Sequence, residues 1–325
     1  MLAAHTGGEE GVAAFQVMLD AAAPGMAAGG GDGGGGGPEA GPVQRSRTPS
    51  PRCAGSWTCP GGDSDEIYLF GGLGAGSEFY NDLWCFHTDT WTWEWCPLAA
   101  GDGGARGAVP EPRWGHTTVA HAGQLYMFGG SSPGQAYKGL WRLDPKVRPC
   151  RWVPLQVEGP EPCARGGHSA TMVGDTLYLF FGNTMEAVFD DVWAMDLTEC
   201  VRWRCVLRGS PTVTPRIGHS AVALGERILI YGGRNCLTGD YPPDLHVFDT
   251  AKGDFWRLEA SEQRPWHRRR STGHVALACT EGLALFGGLR PSGALHNRCA
   301  LLSVAAMAGG SGDPGGPGWR RVQDA

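Results

Sequence analysis

LYMFGG, at residues 125–130, decides the fold because the chain repeats it. An apolar strand ending in glycine also reads IYLFGG at 67–72, LYLFFG at 177–182, ILIYGG at 228–233 and LALFGG at 283–288. The final glycines, Gly72, Gly130, Gly182, Gly233 and Gly288, lie 58, 52, 51 and 55 residues apart. Self-similarity at such a period marks a repeat architecture. Upstream of each strand sits a short cluster ending in Gly-His: RWGH (113–116), RGGH (165–168), RIGH (216–219) and STGH (271–274). In the first copy Ser56 stands where the histidine would be, after Arg52. Downstream comes a second strand signal: NDLWCF (81–86), KGLWRL (138–143), DDVWAM (190–195) and PDLHVF (243–248). A tryptophan then opens or fills a last strand: Trp95, Trp152, Trp203, Trp256 and, after a longer gap, Trp319.

Each unit therefore carries four strand signals separated by turns. A four-stranded antiparallel sheet of this size has two faces and cannot bury both alone, whereas radial stacking buries each against the next. The pairs Gly71–Gly72, Gly129–Gly130, Gly232–Gly233 and Gly287–Gly288, with Gly182 in the third copy, follow from a tight exit with close backbone approach, where a Cβ would clash. The recurrent tryptophans, Trp95, Trp152, Trp203 and Trp256 above all, read as wedges between neighbouring sheets.

The order R-x-G-H, then an aromatic strand with F-G-G, then D-L-W-x-F-D, then Trp resembles the kelch repeat, and it covers roughly residues 52–322. The resemblance implies an all-β kelch-type propeller with five recognisable blades, at about 52–109, 110–161, 162–212, 213–266 and 267–322. Two copies depart from the pattern. The third reads FFGNT, and the fifth decays after its Gly-Gly into LHNRCALLSV and a glycine-rich insert before Trp319. Kelch propellers more often have six or seven blades, so either the ring closes with five or the chain is a shortened version of a longer family member.

The chain has 325 residues and a formal net charge of -6, with a sequence pI near 5.9. A nucleic-acid footprint would need a basic stripe, so nucleic acid is not the expected partner. No apolar run approaches the roughly 18–20 residues of a membrane helix. The first 40 residues hold no Arg or Lys, which argues against a secretory signal or transit peptide. Eleven cysteines, an odd number with no C-x-x-C pair, read as reduced thiols in the cytoplasm, with the nucleus as the second option. Residues 1–50 read as a disordered tail on account of the low-complexity stretch Gly25–Pro42, and the propeller is expected over 51–325. Within the tail, Thr48 and Ser50 precede prolines beside arginines, a setting for phosphorylation, and residues 11–20 suggest one short helix or strand.

His116, His168, His219 and His274 recur once per copy, so blade geometry explains them better than a metal centre does. Propeller oxidases with a copper site need a Tyr/His set that the seven tyrosines here do not supply. The E-x-x-x-D-x-x-x-H iron motif of kelch-bladed specifier proteins fails, since Glu78 and Asp82 are followed by Phe86, with His87 one residue late. On a strand that shift turns the side chain to the other face. No phosphate loop, nucleophile elbow, zincin motif, F-box or BTB segment is visible. The expectation is no enzyme, no cofactor and no metal, with a metal-dependent activity on this scaffold as the rival reading.

The expected function is a non-catalytic interaction module, acting as an adaptor or substrate-recognition subunit, that binds a peptide or loop of another protein. Arg113, Arg165 and Arg216 precede the repeat histidine by three residues, and Arg234 and Arg290 follow a Gly-Gly pair. All five are expected on one face of the ring, where guanidinium groups suit carboxylate or phosphate. The resemblance implies capture of acidic segments or C-termini, and GGRN (232–235) and PRIG (215–218) resemble the stretches that do so. The structural reading, in which the three periodic arginines pair with blade carboxylates, stands at even weight. Tyr80, Tyr137 and Tyr241, with Trp266 in an inter-blade connection, complete the candidate surface.

Overall fold

The computed structural model describes residues 2–3, 52–53, 56–58, 64–74, 77–99, 109–199, 202–242, 244–258, 270–279, 282–294 and 299–303. Five antiparallel sheets form a five-bladed β-propeller. Blade 1 comprises Ser56–Thr58, Glu66–Gly74, Phe79–His87 and Thr92–Cys96; blade 2 comprises Thr117–His121, Gln124–Phe128, Leu140–Leu143 and Trp152–Pro154. Blade 3 is Ser169–Val173, Thr176–Phe180, Val192–Asp196 and Arg204–Leu207; blade 4 is Ser220–Leu224, Arg227–Tyr231, Leu245–Asp249 and Asp254–Leu258. Blade 5 has three strands among the described residues, Val275–Cys279, Gly282–Phe286 and Cys299–Ser303. Among the described residues no helix is long and apolar enough to cross a membrane.

Alternation along each strand sends one set of side chains to each neighbour. Tyr68, Phe70, Leu83 and Cys85 of blade 1 meet Leu125, Met127 and Leu143 of blade 2. Phe128 and Leu140 meet Leu179 and Trp193 of blade 3. Phe180 and Ala194 meet Ile228, Ile230 and Phe248 of blade 4. Leu229 and Val247 meet Leu283 and Leu285 of blade 5. Each Leu, Ile, Val, Met or Phe among these contributes about 1.5–3 kcal/mol on burial.

The wedge is an aromatic of the fourth strand set against the phenylalanine that precedes the glycine pair one blade back. Trp152 meets Phe70 with ring centroids 5.2 Å apart, and Trp203 meets Phe128 at 5.5 Å. In blade 4 the slot belongs to Phe255, paired across the strand with Phe248 as Trp152 is with Leu143. Trp256 consequently faces the other side, half-buried under the Arg227 guanidinium. In blade 1 the cross-strand equivalent is Trp93, opposite Phe86. Trp95, two residues further, is 37% exposed. Trp95, exposed, does not take the wedge place, whereas Trp256 packs on the cluster between blades 4 and 5 and so is a wedge at that next boundary, because one residue of register sends it to the other face of the sheet.

The glycine pairs sit as the sequence requires. The first member has φ of 59° at Gly71, 68° at Gly129, 62° at Gly232 and 67° at Gly287, and the second lies between 91° and 110° in all five blades. A Cβ on Gly129 would lie 2.6 Å from the Arg165 carbonyl oxygen of the next blade. Phe181 takes the first place in blade 3 and adopts φ 56° regardless, fully buried. The second glycine's N–H donates across the blade boundary, from Gly72 to Arg113 O (2.9 Å), Gly130 to Arg165 O (2.9 Å) and Gly233 to Ser271 O (2.9 Å).

Around the axis a second set of backbone bonds joins the glycines that precede the repeat histidines. Gly167 N donates to Gly115 O (2.9 Å), Gly218 N to Gly167 O (3.0 Å) and Gly273 N to Gly218 O (2.7 Å). Leu2–Ala3, within the stretch read as a tail, runs parallel to Ser56–Thr58 and beside Val275–Cys279, between the innermost strands of blades 1 and 5. The rest of the expected tail, with Thr48, Ser50 and residues 11–20, lies outside the described residues, as do Trp266 and Trp319.

Candidate binding face

The second strands end, and the innermost strands begin, at one end of the ring, and this end is its mouth. Four backbone bridges line it, pairing the residue after each glycine pair with the one before each Gly-His: Trp114 with Ser131, Gly166 with Asn183, Ile217 with Arg234, and Thr272 with Leu289.

The periodic arginines do not ring this mouth. Arg113, Arg165 and Arg216 are 2%, 0% and 0% exposed. Each Nη1 donates to the carbonyl of the first residue of its own blade's glycine pair: Arg113 to Gly129 at 3.0 Å, Arg165 to Phe181 at 2.9 Å, Arg216 to Gly232 at 3.2 Å. Each Nε donates to the carbonyl two residues back. Arg165 forms a fork with Asp191 (2.5 and 3.0 Å), and Arg216 one with Asp244 (2.6 and 3.2 Å). Burial alone would push the Asp244 carboxyl up, but the Arg216 guanidinium outweighs it and holds it below the ordinary carboxylate range. These arginines staple the tight exits of their blades, which corrects the expectation that they face a partner. Blade 2 has no such aspartate, since Gly139 stands in its place. Arg113 lies instead over the Tyr137 ring, 4.1 Å from its centroid, as Arg165 lies over Phe189. Burial draws Arg113 down to about 10.

Tyr137 is therefore a half-buried cover on an arginine rather than an open anchor, its hydroxyl 2.8 Å from Ser132 Oγ. Tyr80 occupies the corresponding place in blade 1, its carbonyl accepting from Arg113 N (3.0 Å), and Tyr241 is half-buried. The repeat histidines are likewise occupied by the ring. Thr117 Oγ1 lies 2.8 Å from His168 Nε2, Ser169 Oγ 2.7 Å from His219 Nε2 and Ser220 Oγ 3.0 Å from His274 Nε2, each hydroxyl coming from the preceding blade. His116 packs edge-on against Phe70. Three separate hydroxyl pairings and one ring contact spread around the axis are not a convergent ligand set.

Arg234 and Arg290 are exposed at the mouth, as expected. Arg234 makes no ion pair among the described residues. Beside them stand apolar side chains that the sequence reading missed. Trp114 is 40% exposed, Met185 89%, Leu237 72% and Leu289 36%. Two are set out by capped loops. Thr184 Oγ1 accepts from Glu186 N and Ala187 N, presenting Met185. Asn235 Oδ1 accepts from Leu237 N (2.8 Å) and Thr238 N (3.2 Å), presenting Leu237. The available signal was a large apolar residue one or two places after a Thr or Asn turn former in a loop.

Residues 41–233 match a family model described as the KLHDC2/KLHL20/DRC7 Kelch-repeats domain. The chain belongs to the kelch-repeat family. Among curated relatives this kelch chain is 29% identical over 238 residues to human Kelch domain-containing protein 3, covering 68% of this chain and 60% of that protein. It is 28% identical over 231 residues to Acyl-CoA-binding domain-containing protein 4 of Arabidopsis thaliana, covering 69% and 33%. It is 30% identical over 250 residues to human Host cell factor 2, covering 66% and 29%. The kelch chain thus aligns with less than two thirds of each relative's length.

Proposed function

We propose that this kelch propeller is a non-catalytic interaction module whose mouth binds a segment of another protein. One observation carries the reading. Among the described residues, four of the seven large apolar side chains that stand exposed gather at this one end, next to Arg234 and Arg290. Apolar anchors beside guanidinium groups are the composition of an interface core. An exposed arginine with no ion pair of its own suits a carboxylate on the partner. The buried arginines and histidines support the same reading from the other side, since they are engaged in holding the loops still. An adaptor or substrate-recognition role accords with what kelch propellers commonly do.

The test is differential capture from cell extract with the full chain, comparing the natural sequence with the pair Arg234→Glu and Leu237→Asp. Trp91→Ala, at the opposite end of blade 1, is the control. Proteins retained by the natural sequence and the control, yet lost by the pair, identify the partner. An identical protein set on all three would sink the proposal.

A further inference from the structure

Glu66, Cys85 and His87 of blade 1 bring a carboxylate oxygen, a thiol sulfur and an imidazole nitrogen within 4.8 Å of one another. The register explains the convergence. Glu66 is paired across the strands with His87, and Cys85, two residues earlier, shares the face of His87. This face looks toward blade 2, at the end of the ring opposite the mouth.

The repeat does not account for these residues. At the place of His87 the other four-stranded blades carry Asp144, Asp196 and Asp249, whose carboxylates cap the following turn by accepting backbone N–H groups. Opposite them stand Gln124, Thr176 and Arg227. At the place of Cys85 stand Arg142, Ala194 and Val247. Blade 1 alone replaces a capping carboxylate and two unrelated residues with a thiol, an imidazole and a carboxylate at once. Their surroundings orient them further. Tyr68 Oη donates to Glu66 Oε2 (3.0 Å), and Glu94 Oε2 lies 3.0 Å from His87 Nε2. The adjacent cation, Arg148, directs its guanidinium at Cys150 (3.1 Å) and Cys96 (3.5 Å).

We infer that Glu66, Cys85 and His87 form a zinc site that ties the second and third strands of blade 1 together at their far ends. A thiolate, an imidazole and a carboxylate are the donor set that selects zinc over the hard cations, with water in the fourth position. Glu94 is the carboxylate that fixes the imidazole. Binding breaks the S–H bond of Cys85 and forms the zinc–sulfur bond, the proton passing to solvent, with no change of oxidation state. The ion lies at the end of the ring away from the binding face, so this site is independent of the function proposed above.

The experiment uses the full chain, reduced and stripped with chelator, titrated with Co²⁺ and then Zn²⁺. The expected result is one cobalt per chain, a thiolate-to-cobalt charge-transfer band in the near ultraviolet, and loss of that band as zinc displaces cobalt. Cys85→Ser should abolish the band, Glu66→Gln and His87→Ala should weaken binding at least about tenfold, and Cys163→Ser, elsewhere on the ring, should change nothing. A folded natural protein, verified by circular dichroism, that gives no thiolate band overturns the inference without recourse to any variant. A band that survives both Cys85→Ser and His87→Ala overturns it as well.

Discussion

Arg165 grips Asp191 with both ends of its guanidinium, at 2.5 and 3.0 Å, while Arg113 holds the same station in blade 2 with Gly139 where the aspartate would be. The two arginines make equivalent backbone bonds, so their removal differs by one stranded carboxylate. Arg165→Ala leaves Asp191 partly buried without its cation and should cost about 3–5 kcal/mol. Arg113→Ala strands only carbonyls and should cost about 1–3 kcal/mol. Urea denaturation of both variants measures the order, and equal losses would show that the fork with Asp191 adds nothing.

Glycine substitutions should separate by what the new Cβ meets. Gly129→Ala places a methyl 2.6 Å from the Arg165 carbonyl oxygen and forces a residue into a left-handed backbone, an expected loss of about 3–5 kcal/mol. Gly174→Ala, in the first hairpin of blade 3, meets nothing within 4 Å and keeps only the backbone penalty of about 1–2 kcal/mol. Thermal midpoints of the two variants compare these costs.

Acid should weaken the ring as soon as pH falls below the ordinary histidine range. Burial, reinforced by the neighbouring arginine, holds His116 and His219 well below the ordinary histidine range and His168 at about 3, and burial also lowers His246. The unfolded chain takes up these protons near pH 6.5 and the folded one does not. The unfolded state therefore binds more protons between about pH 6.5 and, for His168, about 3, and stability falls as pH drops through that window. Denaturant midpoints at pH 5.5 should lie below those at pH 7.5, and a flat profile would contradict the burial of these imidazoles.

Arg234 should behave in the opposite manner to Arg165. It is exposed and unpaired with any acid among the described residues, so Arg234→Ala should leave the unfolding midpoint within about 0.5 kcal/mol of the natural protein. Its effect belongs in partner affinity, read by titration calorimetry once a partner segment is in hand. A destabilised but binding-competent Arg234→Ala would reverse the roles assigned to the two arginines.

The blades were legible because the glycine pairs and strand pattern recur, and recurrence exposes what one copy would hide. Phe181 shows the limit of that signal, since its left-handed backbone is dictated by a place in the repeat that its own side chain disfavours. Trp256 and Phe255 are adjacent in sequence, and only the strand register says which of them faces blade 3. The candidate face was half legible. Arg234 and Arg290 stood out because they break the period, whereas Arg113, Arg165 and Arg216 misled because a periodic cation is more often a staple than a hook. Met185 and Leu237 carry only a faint signal, the turn formers Thr184 and Asn235 just before them, because exposure in a loop depends on how those turns close rather than on hydropathy.

The bonds joining Gly115, Gly167, Gly218 and Gly273 set the calibre of the channel. Neighbouring chains linked by such bonds stand about 4.8 Å apart, so a circle of five or six steps has a radius of only about 4–5 Å before atomic radii are subtracted. That bore admits solvent and excludes a polypeptide. Because it is built from main chain, no side-chain substitution can ream it wider. On the function proposed above, a partner docks as a cap on the rim, where the loops choose it, rather than threading the axis.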